Sequence, residues 1–116
     1  MTLTRSLAKA VDIDIVDNDH GWLHLGGHFD YEDGGCQGIG RGLDMEFIRL
    51  FMDVFGVEKL RQVNGRSCWV THSYDNITLI EPLHAKDGQA FDIDRWAADA
   101  RARGAALDAL KKKVAR

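Results

Sequence analysis

Proline is nearly absent from this 116-residue chain, occurring only at Pro82. Cysteine occurs twice, and between Lys9 and Arg41 there is no lysine or arginine at all. Two cysteines, Cys36 and Cys68, cannot build a disulfide framework, although a single bridge stays open. No stretch approaches the ~20 apolar residues of a spanning helix, which argues against a membrane protein. No apolar run of signal-peptide length follows a basic start, so a reducing cytoplasm is the expected setting.

The stretch without cations is rich in carboxylates: Asp12, Asp14, Asp17, Asp19, Asp30, Glu32 and Asp33. The net charge of -3 therefore hides an asymmetry. Residues 1–60 hold 5 Lys/Arg and 11 Asp/Glu, whereas residues 61–116 hold 10 and 7. A surface of one sign attracts cationic partners and repels nucleic acid. The front half is thus expected to meet a protein that itself binds nucleic acid through Lys and Arg, and not nucleic acid directly.

At 45 % hydrophobic, the chain has enough apolar material for one domain spanning 1–116. Val11, Ile13 and Ile15 alternate with Asp12 and Asp14, the period of a half-buried strand. Asn18-Asp19-His20-Gly21 supplies a turn, and a second strand runs from Trp22 to about Tyr31. Burying both aliphatic faces sets either Asp14 opposite His24 or Asp12 opposite His28, which would make the outward face of the hairpin acidic and pH-sensitive. The histidines do not suggest a metal site, because strand residues four apart lie roughly 13 Å from each other.

From Glu32 to Gly42 the chain reads as a glycine-rich loop. A helix then starts near Leu43 or Asp44, runs to Phe55 and stops at Gly56. Strands follow over 66–72 and 77–83, joined at Ser73-Tyr74-Asp75-Asn76, with Pro82 near the end of the second. Ile93, Trp96, Ala97, Ala100, Leu107, Leu110 and Val114 recur at helical spacing, with Gly104 as a potential break. The expected order is β-β-α-β-β-α: an α+β domain with a four-stranded antiparallel sheet packed on helices, and residues 93–116 as a C-terminal helical segment.

Glycines before a helix raise the possibility of anion capture by backbone amides, with Gln37, Gly38, Gly40 and Arg41 as contacts. Neither nucleotide-binding fingerprint is met. Arg41-Gly42 stands where a phosphate loop needs lysine and a hydroxyl, and the third glycine of the dinucleotide motif is missing. Cys36 lies near Arg41 and a helix start but lacks an orienting group, so no catalytic residue is assigned. Trp22 falls beside the carboxylates as a candidate contact anchor, and Trp96 fits the core stripe of its helix.

Asp19-His20-Gly21, Gly35-Cys36-Gln37-Gly38-Ile39-Gly40, Val54-Phe55-Gly56-Val57 and Asn64-Gly65 together resemble a group of small accessory proteins encoded by phages and prophages. Ile39 stands where that pattern carries an aromatic. The resemblance covers roughly residues 7 to 96 and implies a setting, the cytoplasm of a bacterial host. Small phage cargo of this size often binds and blocks host immune machinery, so the leading expectation is a non-enzymatic inhibitor of bacterial immunity of the anti-CRISPR type. The expectation is then a cofactor-free protein that could form a homodimer. It would bind a basic defence protein through Asp12, Asp14, Asp17, Asp19, Trp22, Asp30, Glu32 and Asp33. The alternative is a nucleotide- or anion-binding module using Gln37, Gly38, Gly40 and Arg41.

Overall fold

Strand periodicity begins well before Val11. Ser6, Ala8 and Ala10 are buried while Arg5 and Lys9 are exposed, and β1 accordingly spans Thr4–Asp17 in a computed structural model that describes residues 2–17 and 21–114. It is followed by β2 (Leu23–Tyr31), β3 (Cys36–Gly38), β4 (Arg41–Gly42), α1 (Met45–Phe55), β5 (Ser67–His72), β6 (Ile77–Pro82), β7 (Phe91–Asp92) and α2 (Ile93–Val114). Single 3-10 turns occupy Leu60–Val63 and Ala85–Asp87.

All pairings are antiparallel, in the order β3-β2-β1-β5-β6-β7, with β4 also on the β2 edge. The chain is therefore α+β as expected, but its sheet has seven strands and not four. The three extra strands are two or three residues long and carry no periodicity of their own. What makes them strands is the hydrogen-bonding edge offered by longer neighbours.

Helix α1 forms where the sequence signals it. Asp44 caps its start, Oδ1 accepting from the Phe47 amide at 3.0 Å, and Gly56 at φ 63 closes it in the left-handed conformation. Phe47, Ile48, Phe51, Val54 and Phe55 are buried, so α1 is a core helix. They meet Ala8, Ala10, Ile13, Leu25, Phe29, Cys68, Val70 and Ile80 from the sheet. Gly88 lies against the end of α1, where a Cβ would collide with the Val54 carbonyl, and the Gln89 amide donates to Asp53 O at 3.0 Å. Asp92 caps α2 through the Arg95 amide, and α2 passes Gly104 without a break. No helix among the described residues is long and apolar enough to cross a membrane.

Candidate functional site

The β1–β2 hairpin is not the regular ribbon that alternation implies. Asp12 takes φ 54, and the register shifts between Val11 and Asp14, so β1 holds one extra residue opposite Gly27. Val11 pairs with His28 on one side of this bulge, and Asp14 pairs with Gly26 on the other. Neither expected Asp–His pair forms. His28 Nε2 instead sits 3.2 Å from Asp30 Oδ1, and Asp14 Oδ1 accepts from the neighbouring Ile15 amide at 2.7 Å.

The bulge and strand lengths also divide the carboxylates. Asp12, Asp14 and Asp17 are exposed near the hairpin tip, where Asp17 Oδ1 accepts from the Gly21 amide; Asp19 lies outside the described residues. Asp30 faces Lys9 directly across the strands. Glu32 and Asp33 occupy the turn at the opposite end of β2, roughly 30 Å from Asp17 at about 3.3 Å per residue. Further across the outward face, Arg5 pairs with Glu81 at 3.2 Å and lies over the Trp69 ring. That face is therefore mixed in charge; toward the tip it carries Asp14 with Val16 and His24, while Asp17, opposite Leu23, falls on the other face.

The tip has a second property. Ile13 and Leu25 are buried, but the next residues on the same face, Ile15 and Leu23, are 40 % and 57 % exposed because the hairpin runs on past the layer of helices. Trp22 and Leu43 lie beside Leu23 and continue this apolar surface, Trp22 with 72 % of its area exposed. A shallow cleft of about 660 Å³ opens between Trp22, Leu23, His24, Arg41 and Leu43. Short strand β4 brings Leu43 beside Leu23, a neighbourhood that sequence spacing could not show.

The glycine-rich segment is not a cradle. Gly38 is paired with His28 in β3, and the Ile39 amide donates to Gly27 O at 3.0 Å. Gln37 accepts from the Tyr31 hydroxyl at 2.6 Å and donates to Ser73 O at 3.3 Å, tying β3 to the β5–β6 turn. The Arg41 guanidinium lies over Phe47 at 4.4 Å and faces Trp96 at 5.4 Å. Gly40 has open space around it, but the amide and cation that anion capture would need beside it serve the fold. The carboxylate of Asp44 already occupies the start of α1.

One cluster escaped sequence reading. His72 stacks on Tyr31 at 4.2 Å, and its Nε2 lies 3.0 Å from Ser6 Oγ. A pocket of about 250 Å³ beside it is lined by Thr4, Cys36, Gln37 and Tyr74 as well. A serine–histidine pair can activate a nucleophile. Ser6 is closed to solvent, however, and no carboxylate hydrogen-bonds to His72 among the described residues. Burial also holds the Tyr31 phenol above its ordinary range. The cluster closes one end of the core; only recognition of β1 from Thr4 onward would have revealed it.

Both cysteines are free thiols, Cys36 exposed and Cys68 buried. No group of three or more His, Cys, Asp or Glu among the described residues could hold a metal ion. Comparison with protein-family models, curated proteins and solved structures finds no match to this chain.

Proposed function

We propose that the protein acts by binding another protein through the tip of the β1–β2 hairpin. The observation that carries this reading is the apolar surface of Ile15, Trp22, Leu23 and Leu43, exposed at the hairpin end that carries Asp12, Asp14 and Asp17. Large exposed apolar patches with a polar rim mark contact sites, and tryptophan is a frequent energetic anchor in them. Carboxylates at the rim steer a basic partner and set its orientation. The matching surface is an apolar pocket bordered by Lys and Arg, as a nucleic-acid-binding protein offers. The resemblance to phage accessory proteins supports a bacterial defence protein as that partner, engaged in the host cytoplasm and blocked without catalysis.

Capture of host proteins on the immobilised chain, compared between the unaltered protein and Trp22→Ala or Asp14→Lys/Asp17→Lys variants, tests the reading. A basic protein lost from both variants and weakened by salt supports it. A partner retained equally by the folded variants overturns it.

A further inference from the structure

Asn64 is followed by Gly65, the one Asn-Gly step in the chain; Asn18 precedes Asp19, and Asn76 precedes Ile77. An asparagine so placed has both halves of a reaction to hand. The main-chain nitrogen of the next residue can attack the side-chain carbonyl carbon and close a five-membered ring. Glycine, having no Cβ, leaves that nitrogen unhindered. Asn64 and Gly65 are both exposed, just ahead of β5.

The fold holds each participant away from this reaction. Oδ1 of the Asn64 carboxamide accepts from the Ile13 amide at 2.7 Å, and Nδ2 donates to the Ile13 carbonyl at 3.1 Å. The Gly65 amide, which must lose its proton to attack, donates to Ala10 O at 2.8 Å. Ring closure needs the Gly65 nitrogen to eclipse Cβ about the Asn64 Cα–C bond, which in an L-residue takes a strongly negative ψ. At the observed ψ of 132 the two point apart. The hydrogen-bonded restraints all end on β1, at Ala10 and Ile13, so they are released together when β1 parts from residues 64–66. Between those two residues lies Asp12 at φ 54, where the β1 ladder is interrupted by the bulge.

We propose that Asn64 is a fold-gated modification site, converted to aspartate or isoaspartate when this joint opens, and that the conversion disables the Ile13 clamp for good. In the open form a bond forms between Gly65 N and Asn64 Cγ and the Cγ–Nδ2 bond breaks. The proton from Gly65 N leaves with Nδ2 as ammonia. Water then opens the ring. Attack at Cγ gives aspartate; attack at the main-chain carbonyl gives isoaspartate, whose backbone runs through the side chain and is one methylene longer. Aspartate keeps the acceptor for the Ile13 amide but lacks the donor, and it sets a carboxylate against the Ile13 carbonyl oxygen. Isoaspartate displaces Gly65 from Ala10 as well. Neither product rebuilds the joint, so the bulge beneath the hairpin tip loosens irreversibly. The inference concerns that joint and holds whether or not the tip binds a protein.

Peptide mapping by mass spectrometry of the full chain, aged in mildly alkaline buffer with and without urea, reads conversion at each asparagine. In unfolding urea Asn64 should convert ahead of Asn18 and Asn76, and at least about 10-fold faster than in the fold. Gly27→Ala, which strains the same bulge, should raise the native rate at Asn64 by at least about 10-fold. Aged and refolded protein should unfold at lower urea than fresh protein. Asn64→Gln, whose longer side chain closes the ring poorly, should show no such fall with age. Equal rates in the fold and in urea, an unchanged rate in Gly27→Ala, or a converted chain that unfolds at the fresh protein's midpoint would each overturn the proposal.

Discussion

The carboxamide of Asn64 grips the backbone of Ile13 at both ends: Oδ1 accepts from the Ile13 amide at 2.7 Å, and Nδ2 donates to the Ile13 carbonyl at 3.1 Å. It thereby plays the part of a neighbouring strand ahead of the start of β5 at Ser67. The Gly65 amide donates to Ala10 O at 2.8 Å, and the Ala10 amide donates to Arg66 O at 3.0 Å, so the pairing of β1 continues up to the bulge. Removing the clamp leaves two backbone groups at a buried residue without partners. Asn64→Ala is expected to lower stability by about 2–3 kcal/mol. Asn64→Asp keeps only the acceptor and should retain part of that. Urea unfolding of both variants measures the difference.

Opposite the bulge, Gly27 has φ 121, a conformation that side chains rarely adopt. A Cβ there would stand 2.6 Å from Ile13 Cδ1 and 2.7 Å from the Asp12 carbonyl oxygen. The second neighbour is backbone and cannot swing away. Gly27→Ala should therefore cost more than the usual glycine replacement, about 2–4 kcal/mol. Gly40→Ala, with open space around it, should change stability little. Thermal melting of the pair separates local strain from a general effect of replacing glycine.

These two residues show why the hairpin was only half legible. β2 matches its expected span almost to the residue, because side-chain period is local information, but the bulge sets Val11 opposite His28, on the other face from buried Ile13. The bulge at Asp12 depends on Asn64, some fifty positions away, and no local signal announces it. The same distinction holds in the glycine-rich segment. Glycine composition suggested a loop, but Gly38 and Arg41-Gly42 became strands because the β2 edge was there to pair with. For the candidate site, the acidic character of Asp12, Asp14 and Asp17 was readable. That Asp30 would meet Lys9 and that Glu32 and Asp33 would lie at the far end required the register. The exposure of Leu23 required knowing where the helices stop.

Because Trp22 and Leu23 lie beyond the core, changing them should separate binding from folding. Leu23→Asp is expected to shift stability by no more than about 0.5 kcal/mol, the usual range for surface changes, and Trp22→Ala is melted beside it. Loss of a contact anchor should weaken partner binding by at least about 10-fold, or about 1.4 kcal/mol. Replacing Asp14 and Asp17 by Lys should chiefly slow association and flatten its salt dependence. The same replacements at Glu32 and Asp33, at the other end of β2, should do neither. Surface plasmon resonance at two ionic strengths distinguishes an anchored tip from a diffuse acidic attraction.

Cys68 supplies a pH prediction of definite sign. It is fully buried between Trp69 and Ser67 in β5, paired with Ala8 and Pro82. Burial pushes its thiol from an ordinary 9.0 up to about 12. Below pH 9 the thiol is protonated whether the chain is folded or not, and stability does not depend on it. Between pH 9 and about 12 the unfolded chain releases this proton while the folded chain keeps it. Stability then falls with rising pH, with a limiting slope of about 1.4 kcal/mol per unit. Tyr31, also raised by burial, adds a fall of the same sign that begins near its ordinary value of 10.0. Cys68→Ala should cost about 1 kcal/mol at neutral pH through the lost packing of one small side chain. It should also flatten the decline between pH 9 and 10, where tyrosine does not yet contribute. Guanidinium unfolding at half-unit pH steps, run on both proteins, reads this directly: equal slopes in that interval would mean that the Cys68 thiol ionises within the fold.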